Sequence, residues 1–100
     1  MYLESANASS FENPTLQDLD LALEELKQSD EEHGAFWIVD EDENVLEIHK
    51  DKKLKLFFIL AGDSENQIVK QLNDINKAKL LFIEFLTRNI ERLRNDIESL

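Results

Sequence analysis

Leu16, Leu19, Leu23 and Leu26 recur at steps of three, four and three, the spacing that lines one face of an α-helix. Asp18, Asp20, Glu24 and Glu25 fall on the other sides. Asn13-Pro14-Thr15 sets an extended entry, and Thr15 with Asp18 three residues on forms a capping pair. The pattern predicts an amphipathic helix over about 16–28. Before it, residues 1–13 are polar apart from Tyr2, Leu3 and Phe11 and read as a loose leader. After it, Gln28-Ser29-Asp30-Glu31-Glu32-His33-Gly34 breaks the period and reads as a loop.

The chain then changes to short runs of β-branched and aromatic residues, the signature of strands. Ala35–Val39, Val45–Lys50, Leu54–Leu60 and Asn66–Leu72 are the strand candidates. The links between them are three to five residues each, which permits hairpins and excludes parallel crossovers. Alternation assigns two faces. Phe36, Ile38, Leu46, Ile48, Leu54, Leu56, Phe58, Leu60, Ile68 and Leu72 point towards the helices. Trp37, Val39, Val45, Glu47, His49, Lys55, Phe57, Ile59, Val69 and Gln71 take the other side. That second face is apolar enough to call for a covering element or a partner.

From about Asp74 the helical period returns and no Gly or Pro interrupts it up to Leu100. A helix of that length would run about 37 Å. Ile83, Leu86, Ile90, Leu93, Ile97 and Leu100 follow heptad spacing, so the stripe could pair with a second copy or lie along its own sheet. The expected fold is therefore α+β: a single domain over 14–100 with an N-terminal helix, a four-stranded antiparallel meander and a long C-terminal helix (α-β-β-β-β-α). Residues 87–100 are the candidate protruding end.

Charge sharpens the picture. Residues 1–49 hold 14 of the 22 acidic side chains but only one of the 11 basic ones, Lys27, a net of −13; residues 50–100 net +2. Such polarisation costs stability through self-repulsion but steers a cationic partner. It argues against nucleic acid or anionic lipid as ligands, since phosphate binding needs clustered Lys and Arg. Lys50, Lys52, Lys53 and Lys55 do cluster, but beside a strongly acidic half they make a weak phosphate site. With no cysteine, neither a disulfide nor a thiolate metal site or nucleophile is available. The amino terminus has no basic lead or apolar run, and the longest apolar stretch, Leu56–Ala61, is too short to span a bilayer. A cytoplasmic protein with no membrane association is the expectation.

Catalytic chemistry finds no pattern. Asp40, Asp42 and Asn44 match the first three ligand positions of a calcium loop, but Val45 stands where the turn needs glycine and Asp51 where a bidentate Glu belongs. The Asp40–Asn44 run is then a solvated hairpin turn or a contact for a basic partner. His33 and His49 lack a partner set for zinc or proton transfer. No enzyme activity, cofactor or metal is expected. Trp37 is either core or a partly exposed anchor within an acidic rim.

With these elements in place, the front of the chain resembles a family of small immunity proteins from bacterial polymorphic toxin systems. The likeness rests on Asn13-Pro14-Thr15 opening a helix with Leu16, Leu19, Ala22, Leu23 and Leu26, then an acidic loop and a β-meander. Gln67–Asn73 and a helix with Ala78 and Phe82 continue it, over roughly residues 11–86. The resemblance implies a protein that binds and blocks a cognate toxin. Many such toxins act on nucleic acids through a basic groove, which an acidic surface would complement. On this reading Asp30, Glu31, Glu32, Asp40, Glu41, Asp42 and Glu43 steer the partner and Trp37 anchors it. Two rival expectations stand beside it. One is a homodimeric structural or regulatory module, joined through the heptad helix or the apolar sheet face. The other is an acidic nucleic-acid mimic aimed at a defence enzyme.

Overall fold

The computed structural model describes residues 1–6, 10–30, 34–50, 53–61 and 63–100; Glu31, Glu32 and His33 lie outside them. Six strands form one antiparallel sheet: β1 (Tyr2–Ser5), β2 (Ser10–Glu12), β3 (Ala35–Val39), β4 (Val45–Lys50), β5 (Leu54–Ile59) and β6 (Ile68–Leu72). Their order across the sheet is β2-β1-β3-β4-β5-β6. The described residues also form three α-helices, α1 (Leu16–Gln28), α2 (Ile75–Leu86) and α3 (Ile90–Glu98), and a short 3-10 turn at Ser64–Asn66. The architecture is α+β, but the expected α-β-β-β-β-α order is corrected to β-β-α-β-β-β-β-α-α.

The first correction concerns the leader. Tyr2–Ser5 pairs with β3 as well as with Ser10–Glu12, placing Leu3 opposite Ile38 and Phe11 opposite Leu3. Leu3 and Ser5 point into the core while Tyr2 and Glu4 point out. Without β1, the outer edge of β3 would carry a row of unpaired backbone donors and acceptors, a liability that pairing removes.

The second concerns the C-terminal helix. The heptad stripe continues unbroken through residues 83–100, but the backbone turns at Thr87-Arg88-Asn89. Arg88 adopts a left-handed φ of 63°, Asn89 N–H bonds Glu84 C=O at 3.2 Å and Arg88 N–H bonds Phe85 C=O at 3.0 Å. This is a Schellman ending with an arginine where glycine is usual. A straight helix of about 37 Å would overrun a molecule whose longest extent is 31 Å. Turning lets both halves of the stripe close on one core: Leu93 and Ile97 are fully buried, and Ile83, Leu86, Ile90 and Leu100 pack partly buried against them. Residues 87–100 do not protrude.

α1 forms as its sequence dictates. Thr15 Oγ1 accepts from Asp18 N–H at 3.2 Å, and Asp18 Oδ2 accepts from Thr15 N–H at 2.9 Å. Leu19, Ala22, Leu23 and Leu26 are buried; Leu16, in the first turn, is 55% exposed and falls off the stripe. At the other end, Lys50 Nζ donates to Lys27 C=O (2.6 Å) and Ser29 C=O (2.7 Å), placing a cation where the helix dipole is negative. Gly34 makes that junction possible: a Cβ there would lie 2.7 Å from Lys50 Cβ.

The inward face of the sheet follows the expected alternation. Phe36, Ile38, Leu46, Ile48, Leu56, Phe58 and Leu72 are buried with Ala78, Leu81, Phe82 and Phe85 of α2. The Phe36 and Phe82 rings sit 4.8 Å apart. All three helices contribute to this single cluster, so among the described residues no helix covers the other sheet face.

Candidate interaction surface

Because successive strand residues alternate sides, the antiparallel register lays the outward residues in rows across the sheet. The row nearest the β3–β4 turn is Glu12, Tyr2, Val39, Val45 and Ile59. The next is Ser10, Glu4, Trp37, Glu47, Phe57 and Val69. The third runs from Ala35 through His49 and Lys55 to Gln71. Trp37, Val39, Val45, Phe57 and Ile59 are half-exposed, and Tyr2 and Val69 are exposed at 40% and 41%. Apolar side chains thus form the middle of an uncovered face.

Charge is distributed unevenly over it. Glu4 and Glu47 stand directly opposite Trp37 on its two neighbouring strands, and Glu12 lies beyond Tyr2. The β3–β4 turn adds exposed Asp42 and Glu43 at the same end. Among the described residues, Glu4, Glu12, Asp42 and Glu43 take part in no ion pair. Carboxylates on α1 differ: Asp20 pairs with Lys79 at 2.7 Å, and Glu24 has Lys27 at 3.8 Å. At the β4–β5 side, Lys55 lies 5.9 Å from the Phe57 ring centroid, and His49 packs edge-on against that ring at 5.0 Å.

The Asp40–Asn44 turn is built from its first and last residues. Asp40 Oδ1 accepts from Asp42 N–H (3.0 Å) and Asn44 N–H (2.9 Å), and Asp40 Oδ2 accepts from Asn44 Nδ2 (2.9 Å). Asn44 Oδ1 in turn accepts from Ala61 N–H at 2.9 Å, tying the turn to the chain after β5. Both side chains are buried, so Asp40 is a structural carboxylate rather than a contact for a partner. Glu43 holds a left-handed φ of 67° and is exposed. Glu41 is also occupied: Arg88 Nη2 reaches its Oε1 at 2.8 Å and the terminal ammonium at 3.2 Å. Those donors, Arg88 first, hold the Glu41 carboxyl down to about 2.

Of the steering residues expected from sequence, Asp42 and Glu43 lie exposed at the end of the face that carries Trp37, whereas Asp40 is buried and Glu41 is ion-paired. Asp30 lies before β3 and the acidic turn after it, so the two are separated by the whole length of that strand and cannot share one small contact. Tyr2, Glu4 and Glu12 belong to the apparent leader and were not expected at this surface, while Glu47 was placed on the outward face without a role of its own. The alternation Tyr2-Leu3-Glu4-Ser5 was the available signal, although four residues are too few to set a period.

A second concave feature lies between α2 and α3. It is a cleft of about 530 Å³ lined by Lys77, Leu80, Leu81, Ile83, Glu84, Arg92, Asp96, Ser99 and Leu100. Arg92 Nε stands 3.4 Å from Glu84 Oε1, while Glu84 Oε2 is buried without a hydrogen-bond donor among the described residues. Burial, reinforced by the Asp96 carboxyl beside it, pushes the Glu84 carboxyl up to about 7 against the pull of Arg92. Among the described residues, no helix is long and apolar enough to cross a membrane. Comparison with protein-family models, with curated proteins and with solved structures yields no match to this chain.

Proposed function

We propose that this chain is a non-enzymatic binding protein that takes a basic protein on its open sheet face, and that the partner is a cognate bacterial toxin domain. The observation that carries the reading is the uncovered face itself. Half-exposed Trp37 and exposed Tyr2 sit among Glu4, Glu12, Asp42 and Glu43, none of which meets a cation among the described residues. Aromatic anchors inside a charged rim are the usual anatomy of an interface. Six strands span about 24 Å and five residues about 16 Å, roughly 400 Å² in projection. An ordinary interface covers about 800 Å² per partner, so the docked surface would also include the acidic turn. The resemblance of residues 11–86 supports the toxin reading, and a basic substrate groove would complement this face.

The test is association with the basic domain that co-purifies from the native host. Rim charges act mainly on the rate of encounter, so neutralising Asp42 and Glu43 should slow association about tenfold at low salt and leave dissociation nearly unchanged. Trp37→Ala should instead speed dissociation. Association that ignores ionic strength would defeat the proposal. A chain that scatters light as a dimer through this face would do the same, in favour of the homodimeric module.

A further inference from the structure

We infer, resting on the docking reading above, that Trp37, Glu4 and Glu47 form a receptor for one arginine side chain of the partner. The antiparallel register fixes the arrangement: Glu4 on β1 and Glu47 on β4 are the direct cross-strand neighbours of Trp37 on β3. Neighbouring strands are about 4.8 Å apart, so the two carboxylates rise from backbone points about 10 Å apart with the indole between them. A guanidinium laid on the indole can donate to one carboxylate on each side, with N–H···O⁻ contacts of about 2.8 Å. A planar cation with donors along both edges uses all three groups at once. An ammonium is a compact point charge and uses them less well.

The surroundings favour an incoming cation over an internal one. Among the described residues of the outward rows, the lysine is Lys55, which lies against Phe57 two strands from Trp37. Glu47 Oε2 is held 3.3 Å from His49 Nε2, which orients the carboxylate, while Glu4 takes part in no ion pair among the described residues. The sheet behind Trp37 is closed by Phe36, Ile38, Leu46 and Ile48, all buried. The receptor therefore rests on a rigid base, with little ordering cost on binding.

The chain has a single tryptophan, so its emission reports on this position alone. The probes are three short glycine-spaced peptides of equal length carrying arginine, lysine or citrulline, labelled for anisotropy and titrated at low ionic strength. The expected result is a saturable change in Trp37 emission with the arginine peptide, at about tenfold tighter affinity than the lysine peptide, and no binding of citrulline. The double variant E4Q/E47Q, with an unchanged thermal melt, should remove the preference for arginine. If arginine and lysine peptides bind equally without altering the emission, and binding still needs Asp42 and Glu43, the receptor is wrong while the docking face survives. If binding is lost only on neutralising Asp18 and Asp20 of α1, or if no cationic peptide binds, receptor and docking face fall together.

Discussion

Truncating Leu93 to alanine separates a helix that turns back from one that projects. Leu93 has no exposed surface and lies in the same cluster as Phe85 and Leu81. Leu→Ala at such a site removes the transfer free energy of the lost carbons and leaves a cavity, at about 2–5 kcal/mol depending on how far the site collapses. Taking about 3 kcal/mol, and about 4–8 °C per kcal/mol for a domain of this size, the melting midpoint should fall by roughly 12–24 °C. Ile90, only partly buried, should cost about 1 kcal/mol on truncation to alanine. Urea unfolding monitored by circular dichroism gives both values, and the slope should stay constant if only stability has changed. A loss at Leu93 below about 0.5 kcal/mol, accompanied by a drop in oligomer size, would mean that α3 pairs with another chain.

Three further outcomes follow from the same structure. Glu84 has its carboxyl raised from 4.5 to about 7, so its contribution favours the folded state fully below pH 4.5 and is lost as pH rises through 7. Solvent at the mouth of the cleft limits the effect, so Glu84→Gln should stabilise the fold by roughly 1–2 kcal/mol at pH 8 and flatten this limb of the stability profile; an unchanged profile would count against the buried carboxyl. Asp40→Ala strips three acceptor contacts from the β3–β4 turn and should cost about 2–3 kcal/mol, whereas Asp42→Ala, on the outside of the same turn, should cost less than about 0.5 kcal/mol; equal costs in chemical denaturation would refute the turn geometry. Glu43→Gly relieves a left-handed backbone and should raise stability by about 0.5–1 kcal/mol, and a loss would show that the residue is held there by contacts of its own.

Where the sequence was legible, local chemistry and burial agreed. The Thr15–Asp18 capping pair, the alternation in β3, β4 and β5, and the hairpin links all point to the same elements as the structure. Two features could not be read, for different reasons. Strand β1 has one core residue, Leu3, and one inward serine, and its stability comes from pairing with β3, 31 to 37 positions away. Non-local pairing leaves little trace in local composition. The break at Arg88 is hidden because its stripe is continuous on both sides; no Gly or Pro marks it, and overall size decides it. The acidic turn was legible as a turn. Its division of labour was not, because identical carboxylates at Asp40 and Asp42 acquire opposite roles through the hydrogen bonds Asp40 makes to Asn44. The proposed surface was half visible: Trp37 and Glu47 lay on a recognised strand, while Tyr2, Glu4 and Glu12 joined them only once the leader was seen to be sheet.

The decisive measurement is where a cationic chain lands on this molecule. Amide and side-chain NMR shifts can be followed while an arginine-rich peptide is titrated into the full chain. Changes should be confined to Tyr2, Glu4, Trp37, Glu47 and the Asp42–Glu43 turn, and should fade as salt is added. Shifts centred on Asp18, Asp20 and Glu24 of α1, with Trp37 undisturbed, would contradict the docking reading.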